Sequence, residues 1–367
     1  MKEVISHRQA VSLLTVFLLG SSIIIGVSSE AGQDSWISQL LSSAMAIPVV
    51  MIYARLIRLF PGKNIFEMLN ALFGKIWGKA LSLLMTWYAL HLGALVVNNF
   101  AGFIKTVTMP ETPLLPIMLL FVLVAVFMIK SGIETLGKWT LIVLPIVMSV
   151  VLFTTILSLR QMDFTNILPV FSHGLGDITA TAYKSLTFPY AETVIFLCAA
   201  DAVRKTDSPY RIYLYGLLLC TSAKVIIILR NIELIGPALM QALYFPSFVA
   251  ARLIKIGDFL QRIEGTISMI FILAGTAKTS VCVLAAAKGT AALFNIKSYR
   301  QLVVPVALLV LAVSAIAFEN MMEMFGFMMY YQYYAMPFQF GIPIVLWITA
   351  ELKKERIKNA EDISEEG

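Results

Sequence analysis

The chain has 367 residues, 59% of them hydrophobic and only 14% charged. A soluble domain carries roughly 25% charged residues, and mean hydropathy here is +0.84, so a soluble domain is excluded and a polytopic membrane protein is expected. The net charge of +6 matters through where the charges fall across a bilayer, not through its sum.

A membrane-spanning helix needs about 20 mainly apolar residues. Ten such spans are expected, at residues 10–29, 36–60, 81–107, 114–129, 139–159, 180–200, 210–232, 265–287, 303–318 and 327–350. No small-residue cleavage site follows the first apolar run, so no cleavable leader is expected. With the N-terminus placed in the cytoplasm, nineteen of the 28 Lys and Arg fall in inside segments and seven outside, with Lys224 and Lys278 inside spans. That bias predicts both termini on the cytoplasmic side and an even number of spans.

The first span is irregular. Leu19-Gly20-Ser21-Ser22-Ile23-Ile24-Ile25-Gly26 places two glycines and two serines at membrane depth. Glycine weakens a helix, and serine bonds backbone groups that a distorted helix frees; small residues also suit a close helix–helix packing face. The sixth span, with Ser185-Leu186-Thr187-Phe188-Pro189-Tyr190-Ala191-Glu192, is more so. Pro189 lacks a backbone N–H and its ring clashes with the preceding turn, so the helix should break there. Glu192 follows, a carboxylate that costs about 2.5–3.5 kcal/mol to place at bilayer depth. Unpaired backbone beside a buried acid is tolerated where it lines a cavity or packs on protein, so this stretch is the leading ligand-site candidate.

These two irregular spans open two sets of five, offset by 169 to 189 residues. Five is odd, so the second set is expected to be inverted. The fold class is therefore an all-α integral membrane protein of ten helices in a 5+5 inverted repeat of the LeuT type, with helices 1 and 6 interrupted and a site between the halves. One transmembrane domain is expected over 1–367: a first repeat at 1–160, a second at 161–350, and a charged cytoplasmic tail at 351–367. The segment 161–179 is expected to hold a short helix over the site. Residues 250–263 mix charged and apolar side chains in the manner of an amphipathic lid helix.

Lys278 lies centrally in the eighth span, where it either pairs with Glu192 or supplies the fixed charge that a sodium ion supplies in other inverted-repeat transporters. Lys224 reads as structural, bound to a loop acid. His91, Asn98 and Asn99 of the third span are expected to bridge helices, His91 doubling as a candidate ligand contact. Tyr330, Tyr331, Tyr333 and Tyr334 read first as an aromatic packing face. Cys198, Cys220 and Cys282 read as small core hydrophobes. No phosphate-binding loop, dinucleotide fingerprint, metal cluster or nucleophilic triad is present, so neither catalysis, a cofactor, a metal nor a nucleic-acid partner is expected. The ligand suited to the site is small and zwitterionic. Free N–H groups of broken helices face its carboxylate, and free carbonyls or Glu192 face its ammonium.

Several stretches resemble one family: Ile5-Ser6-His7-Arg8-Gln9, Ala31-Gly32-Gln33-Asp34-Ser35-Trp36, Asn166-Ile167-Leu168-Pro169-Val170, Thr187-Phe188-Pro189-Tyr190-Ala191-Glu192 and Arg262-Ile263-Glu264. They look like the B subunits of nutrient germinant receptors from endospore-forming bacteria, within the amino acid–polyamine–organocation superfamily. The resemblance implies a transporter-like fold in the spore inner membrane. It further implies a germinant, often an amino acid, sensed between spans one, three, six and eight, and partner A and C subunits. By position the ligand contacts would be Gly20 at the first break with Ser21 and Ser22, His91, Phe188, Pro189, Tyr190, Glu192, Thr276 and Thr279. A proton-coupled amino acid permease and a scaffold with a vestigial pocket are the competing readings.

Overall fold

Every backbone polar group in lipid must find its partner inside the protein, which helices achieve segment by segment. The computed structural model describes residues 3–26, 29–254 and 263–354, and over these the chain is helices joined by turns and short connections, with an isolated bridge between Ile5 and Val203. The helices are α1 (His7–Ser22), α2 (Ser35–Leu59), α3 (Ile65–Val107), α4 (Leu114–Lys130), α5 (Ile133–Ser158), α6 (Leu175–Ser185) and α7 (Pro209–Ile235). Beyond them come α8 (Pro237–Ala242), α9 (Pro246–Leu253), α10 (Glu264–Phe294), α11 (Val303–Ala317), α12 (Met321–Met328), α13 (Tyr331–Met336) and α14 (Ile342–Leu352).

Six described segments are apolar and long enough to cross a membrane unaided, at 29–59, 65–107, 133–161, 209–235, 264–294 and 331–352. The expected spans 1, 4, 6 and 9 are shorter or broken. α1 has 16 residues, α4 has 17 and α11 has 15, and α11 meets α12 at a 99° bend. The expected third span is instead the latter part of a longer segment that starts at Ile65 and is interrupted at Gly74, whose φ of 75° suits a residue without Cβ. The expected lid at 250–263 begins as α9; residues 255–262 and the tail beyond Lys354 lie outside the described residues.

Both interruptions sit where local chemistry puts them. α1 starts with a capping box, Ser6 and Gln9 satisfying each other's backbone. It ends at Ser22, and the chain unwinds through Ile23–Gly26. Gly20 therefore stands inside α1, two residues before its last residue, and not at the break. α6 gives way at a wide turn, Leu186–Tyr190, in which Phe188 is extended (φ −133°, ψ 111°) ahead of Pro189, and helix resumes as a tighter coil over Ala191–Ala202. The segment before α6 is held over the bundle by Asp34, whose carboxylate accepts from the backbone N–H of Phe171 (2.7 Å) and His173 (3.0 Å).

α10 is the central helix: 78% of its apolar window is buried, against 28% for α5 on the periphery. Small residues let α3 approach it. A Cβ on Gly93 would lie 3.2 Å from Cys282, and one on Gly275 or Gly289 would collide with Phe100 or with Thr86. All three cysteines are free and buried, as small core residues. At the bundle end that carries the N-terminus, the Ile5 N–H donates to the Ala202 carbonyl (2.8 Å), Glu3 accepts from Tyr299 (2.8 Å) and pairs with Arg300, and Lys288 pairs with Asp201 (2.6 Å).

Two predictions follow from the packing. Gly289→Val overpacks the α3–α10 seam at about 1–3 kcal/mol and lowers the thermal midpoint of the detergent-solubilised protein by several degrees. Burial alone would raise the Glu3 carboxyl, but hydrogen bonds from Tyr299 and Arg300 outweigh it and hold it below its usual range. A lowered folded-state pKa stabilises above the unfolded value and is lost as pH falls through the folded one. The midpoint gap between the native chain and Glu3→Gln is therefore present at neutral pH and closes below pH 4.5, the ordinary value for this group.

Candidate functional site

The break in the sixth span delivers Glu192 into the middle of the bundle, where it is fully buried. A lone ionised carboxylate there would be prohibitively costly, and two groups answer it. Lys278 of α10, equally buried, donates to Oε2 at 2.6 Å, and the Tyr331 hydroxyl donates to Oε1 at 2.8 Å. The Lys278 ammonium also lies over the rings of Phe17 (5.0 Å) and Phe188 (4.9 Å), a cation–π arrangement on two sides. Gly20 makes room for this side chain: a Cβ there would come within 2.9 Å of Lys278 Cδ.

Hydrogen bonds continue outward in two directions. The Tyr331 and Tyr88 hydroxyls meet at 3.1 Å, and Gln339 Nε2 donates to the Tyr88 oxygen (2.9 Å) and to the Thr187 carbonyl (2.8 Å). Tyr53 then donates to the Gln339 carbonyl at 2.6 Å. The backbone freed by Pro189 is thus tied to α2, α3 and the tenth-span region. On the other flank the Tyr190 hydroxyl meets Gln39 Nε2 (2.6 Å) and Thr221 Oγ1 (2.7 Å).

Between Glu192 and α3 lies a cavity of about 20 Å³ lined by Ser21, Leu92, Asn99, Phe188, Phe327 and Tyr331, among others. Asn99 is buried and its side-chain carbonyl has no hydrogen-bond partner. Above this cavity a vestibule of about 220 Å³ reaches Glu30, Lys184, Gln241 and Gln332. Phe188, Met328 and Tyr331 line both spaces, so this layer separates the vestibule from the acid.

The expected contacts divide accordingly. Ser21, Phe188 and Glu192 line the inner cavity, and Lys278 pairs with Glu192. Gly20 and Pro189 shape it. Ser22 bonds its own helix at the Leu18 and Leu19 carbonyls and lines a separate cavity beside α7. Tyr190 points to α2 and α7. His91 stacks on Trp87 and packs edge-on against Phe327 and Tyr334, bridging α3 to the last spans. Thr276 bonds the Leu273 carbonyl on its own helix; the buried Thr279 hydroxyl has no partner. Lys224, expected to reach a loop acid, is buried within the bundle with no hydrogen-bond partner for its ammonium.

The family model described as spore germination protein, a spore permease family, matches residues 4–322. The chain belongs to the spore germination protein family. Spore germination protein KB of Bacillus subtilis (strain 168) is 25% identical over 97% of this chain and 96% of its own length. Spore germination protein XB of Bacillus anthracis is 22% identical over 68% of this chain and 72% of its own. Among solved structures, Mhp1, a nucleobase-cation-symport-1 family transporter in a closed conformation with bromovinylhydantoin bound, superposes with a TM-score of 0.71 at 12% identity over 93% of this chain and 78% of its own. MhsT in complex with L-phenylalanine gives 0.61 at 15% identity over 94% and 89%. At those identities the likeness establishes the fold, that of LeuT-type transporters.

For this member of the germination family the sequence reading missed the tyrosine–glutamine partners. Tyr331 looked like part of an aromatic face, and its hydroxyl instead holds Glu192. Gln339 carried a signal, one of two amides in an apolar span with Gln332, but nothing in the sequence named Thr187 or Tyr88 as its partners.

Removing one partner of a buried ion pair costs about 3–5 kcal/mol. Lys278→Met therefore sharply reduces folded protein in a heated size-exclusion assay. The double variant Lys278→Met/Glu192→Gln, which buries no charge there, recovers most of it.

Proposed function

We propose that the chain is the germinant-sensing B subunit of a spore germination receptor, binding a small nutrient, an amino acid by chemistry, between α1, α3, α10 and the broken sixth span. The observation that carries this reading is that Glu192 and the unpartnered side-chain carbonyl of Asn99 line one cavity, closed off from a vestibule by Phe188 and Tyr331. A carboxylate and an amide carbonyl are the acceptors an ammonium needs, and the unwound C-terminal end of α1 leaves backbone carbonyls that add to them.

A cavity of about 20 Å³ holds one water-sized group and no amino acid. Binding must therefore displace the Phe188–Tyr331 layer, and the ligand's ammonium competes with Lys278 for Glu192. That exchange is the two-state element: a ligand shifts an equilibrium only by its difference in affinity for the two states. Lys278, as a fixed cation beside α1, takes the place of a mobile coupling ion. In this reading residues 1–160 and 161–350 are the two inverted repeats, the charged tail at 351–367 and the N-terminus face the cytoplasm, and the chain sits in the spore inner membrane with A and C subunits that read its shift.

A hydrogen bond to a charged group contributes about 1.5–3 kcal/mol, so Glu192→Gln raises the half-maximal germinant concentration of spores roughly tenfold or more, compared at matched receptor levels set by immunoblot because the unpaired Lys278 also lowers abundance, and Tyr331→Phe raises it less. An unshifted dose response in both variants contradicts the proposal. Uptake of the nutrient by the isolated chain in liposomes would favour a permease.

A further inference from the structure

Among the described residues, two buried cations on α7 have no acid to answer them. Lys224 is 4% exposed, and its ammonium, 5.2 Å from the centre of the Tyr190 ring, makes no hydrogen bond. Arg230, six residues on, is 1% exposed and spends its hydrogens on neutral oxygens, Thr154 Oγ1 at 2.9 Å and Asn231 Oδ1 at 2.9 Å. The nearby carboxylate, Glu192, is already committed to Lys278 and Tyr331. Beside Lys224 is a cavity of about 20 Å³ between α7, α9 and the unwound end of α1, lined also by Ser22, Ser29, Asn231 and Ser247. Asn231 Nδ2 donates one hydrogen to Ser247 (3.0 Å) and keeps a second.

We propose that this cavity is a binding site for a small monovalent anion held by the Lys224 ammonium and the Asn231 amide, in the field of Arg230. An isolated charge in an apolar interior is costly unless paired, and an anion of low charge supplies the pairing that the described acids do not. Size decides among anions. The space takes a single water-sized guest, which suits chloride or bromide, or the carboxylate tip of a ligand reaching in from the vestibule side, and rejects larger oxyanions. The site does not depend on the germinant reading. It adds to it a charge beside Tyr190, at the break of the sixth span.

The test uses the purified full chain in nanodiscs, with gluconate exchanged for chloride or bromide at constant ionic strength. The native chain should show a saturable rise in thermal midpoint, roughly 3 °C at about ten times the dissociation constant. Lys224→Met should melt at or above the native chain in gluconate and ignore chloride. Line broadening of chloride NMR, lost in the same variant, provides a second reading that does not require melting. If the native chain responds to an amino acid but not to its carboxamide, and that response depends on Lys224 while chloride has no effect, the anion is the ligand's carboxylate. A native chain indifferent to chloride, bromide and amino acid carboxylate alike overturns the proposal, as does an unchanged chloride response in Lys224→Met.

Discussion

Glu192 and Lys278 meet at 2.6 Å with neither side chain reaching solvent, and much of the surrounding structure can be read as what that contact requires. The carboxylate needs a second donor, which brings Tyr331 inward; Tyr331 needs Tyr88, and Tyr88 needs Gln339. The ammonium needs a path past α1, which Gly20 leaves open, and aromatic faces on either side, which Phe17 and Phe188 supply. Buried pairs seldom add net stability over apolar packing. In the mechanism proposed, what this one adds is a two-way choice: Glu192 is held by Lys278 or by a ligand ammonium of the same chemistry.

The broken sixth span makes that choice mechanical. Pro189 removes a donor, and the extended Phe188 places an aromatic ring at once over Lys278 and in the layer below the vestibule. Displacing Phe188 to admit a ligand therefore disturbs the cation–π contact and the ion pair together. Gln339 fastens the Thr187 carbonyl to the tenth-span region, whose own helix widens to a π turn at Pro337–Gly341. Movement at the sixth-span break is thereby tied to movement of the last spans.

The sequence displays the parts of this arrangement that follow from one residue's own chemistry. A proline in an apolar run removes a backbone donor, and although Pro48 and Pro145 sit inside unbroken helices, Pro189 is followed three residues later by an acid that is conspicuous in lipid, so the break and Glu192 were legible. The Lys278 pairing was legible as one of two options, since few opposite charges occur at that depth. Partnerships that depend on helix rotation were not. Tyr331 and Tyr330 are adjacent and chemically identical, yet one holds Glu192 and the other is exposed. Gly20 illustrates the same limit: its role is the approach of α10, not the unwinding that glycine suggests. Lys224 was read as reaching a loop acid because a buried cation normally has a partner, and its lack of one is visible only with α7 placed.

The central claim is that a ligand ammonium takes the place of Lys278 on Glu192. Calorimetric titration of amino acids into the chain in nanodiscs tests it most directly, comparing the native protein with Lys278→Met/Glu192→Gln. The account predicts binding by the native chain and none by the folded double variant. Equal affinity in the two would contradict it and move the ligand away from the ion pair.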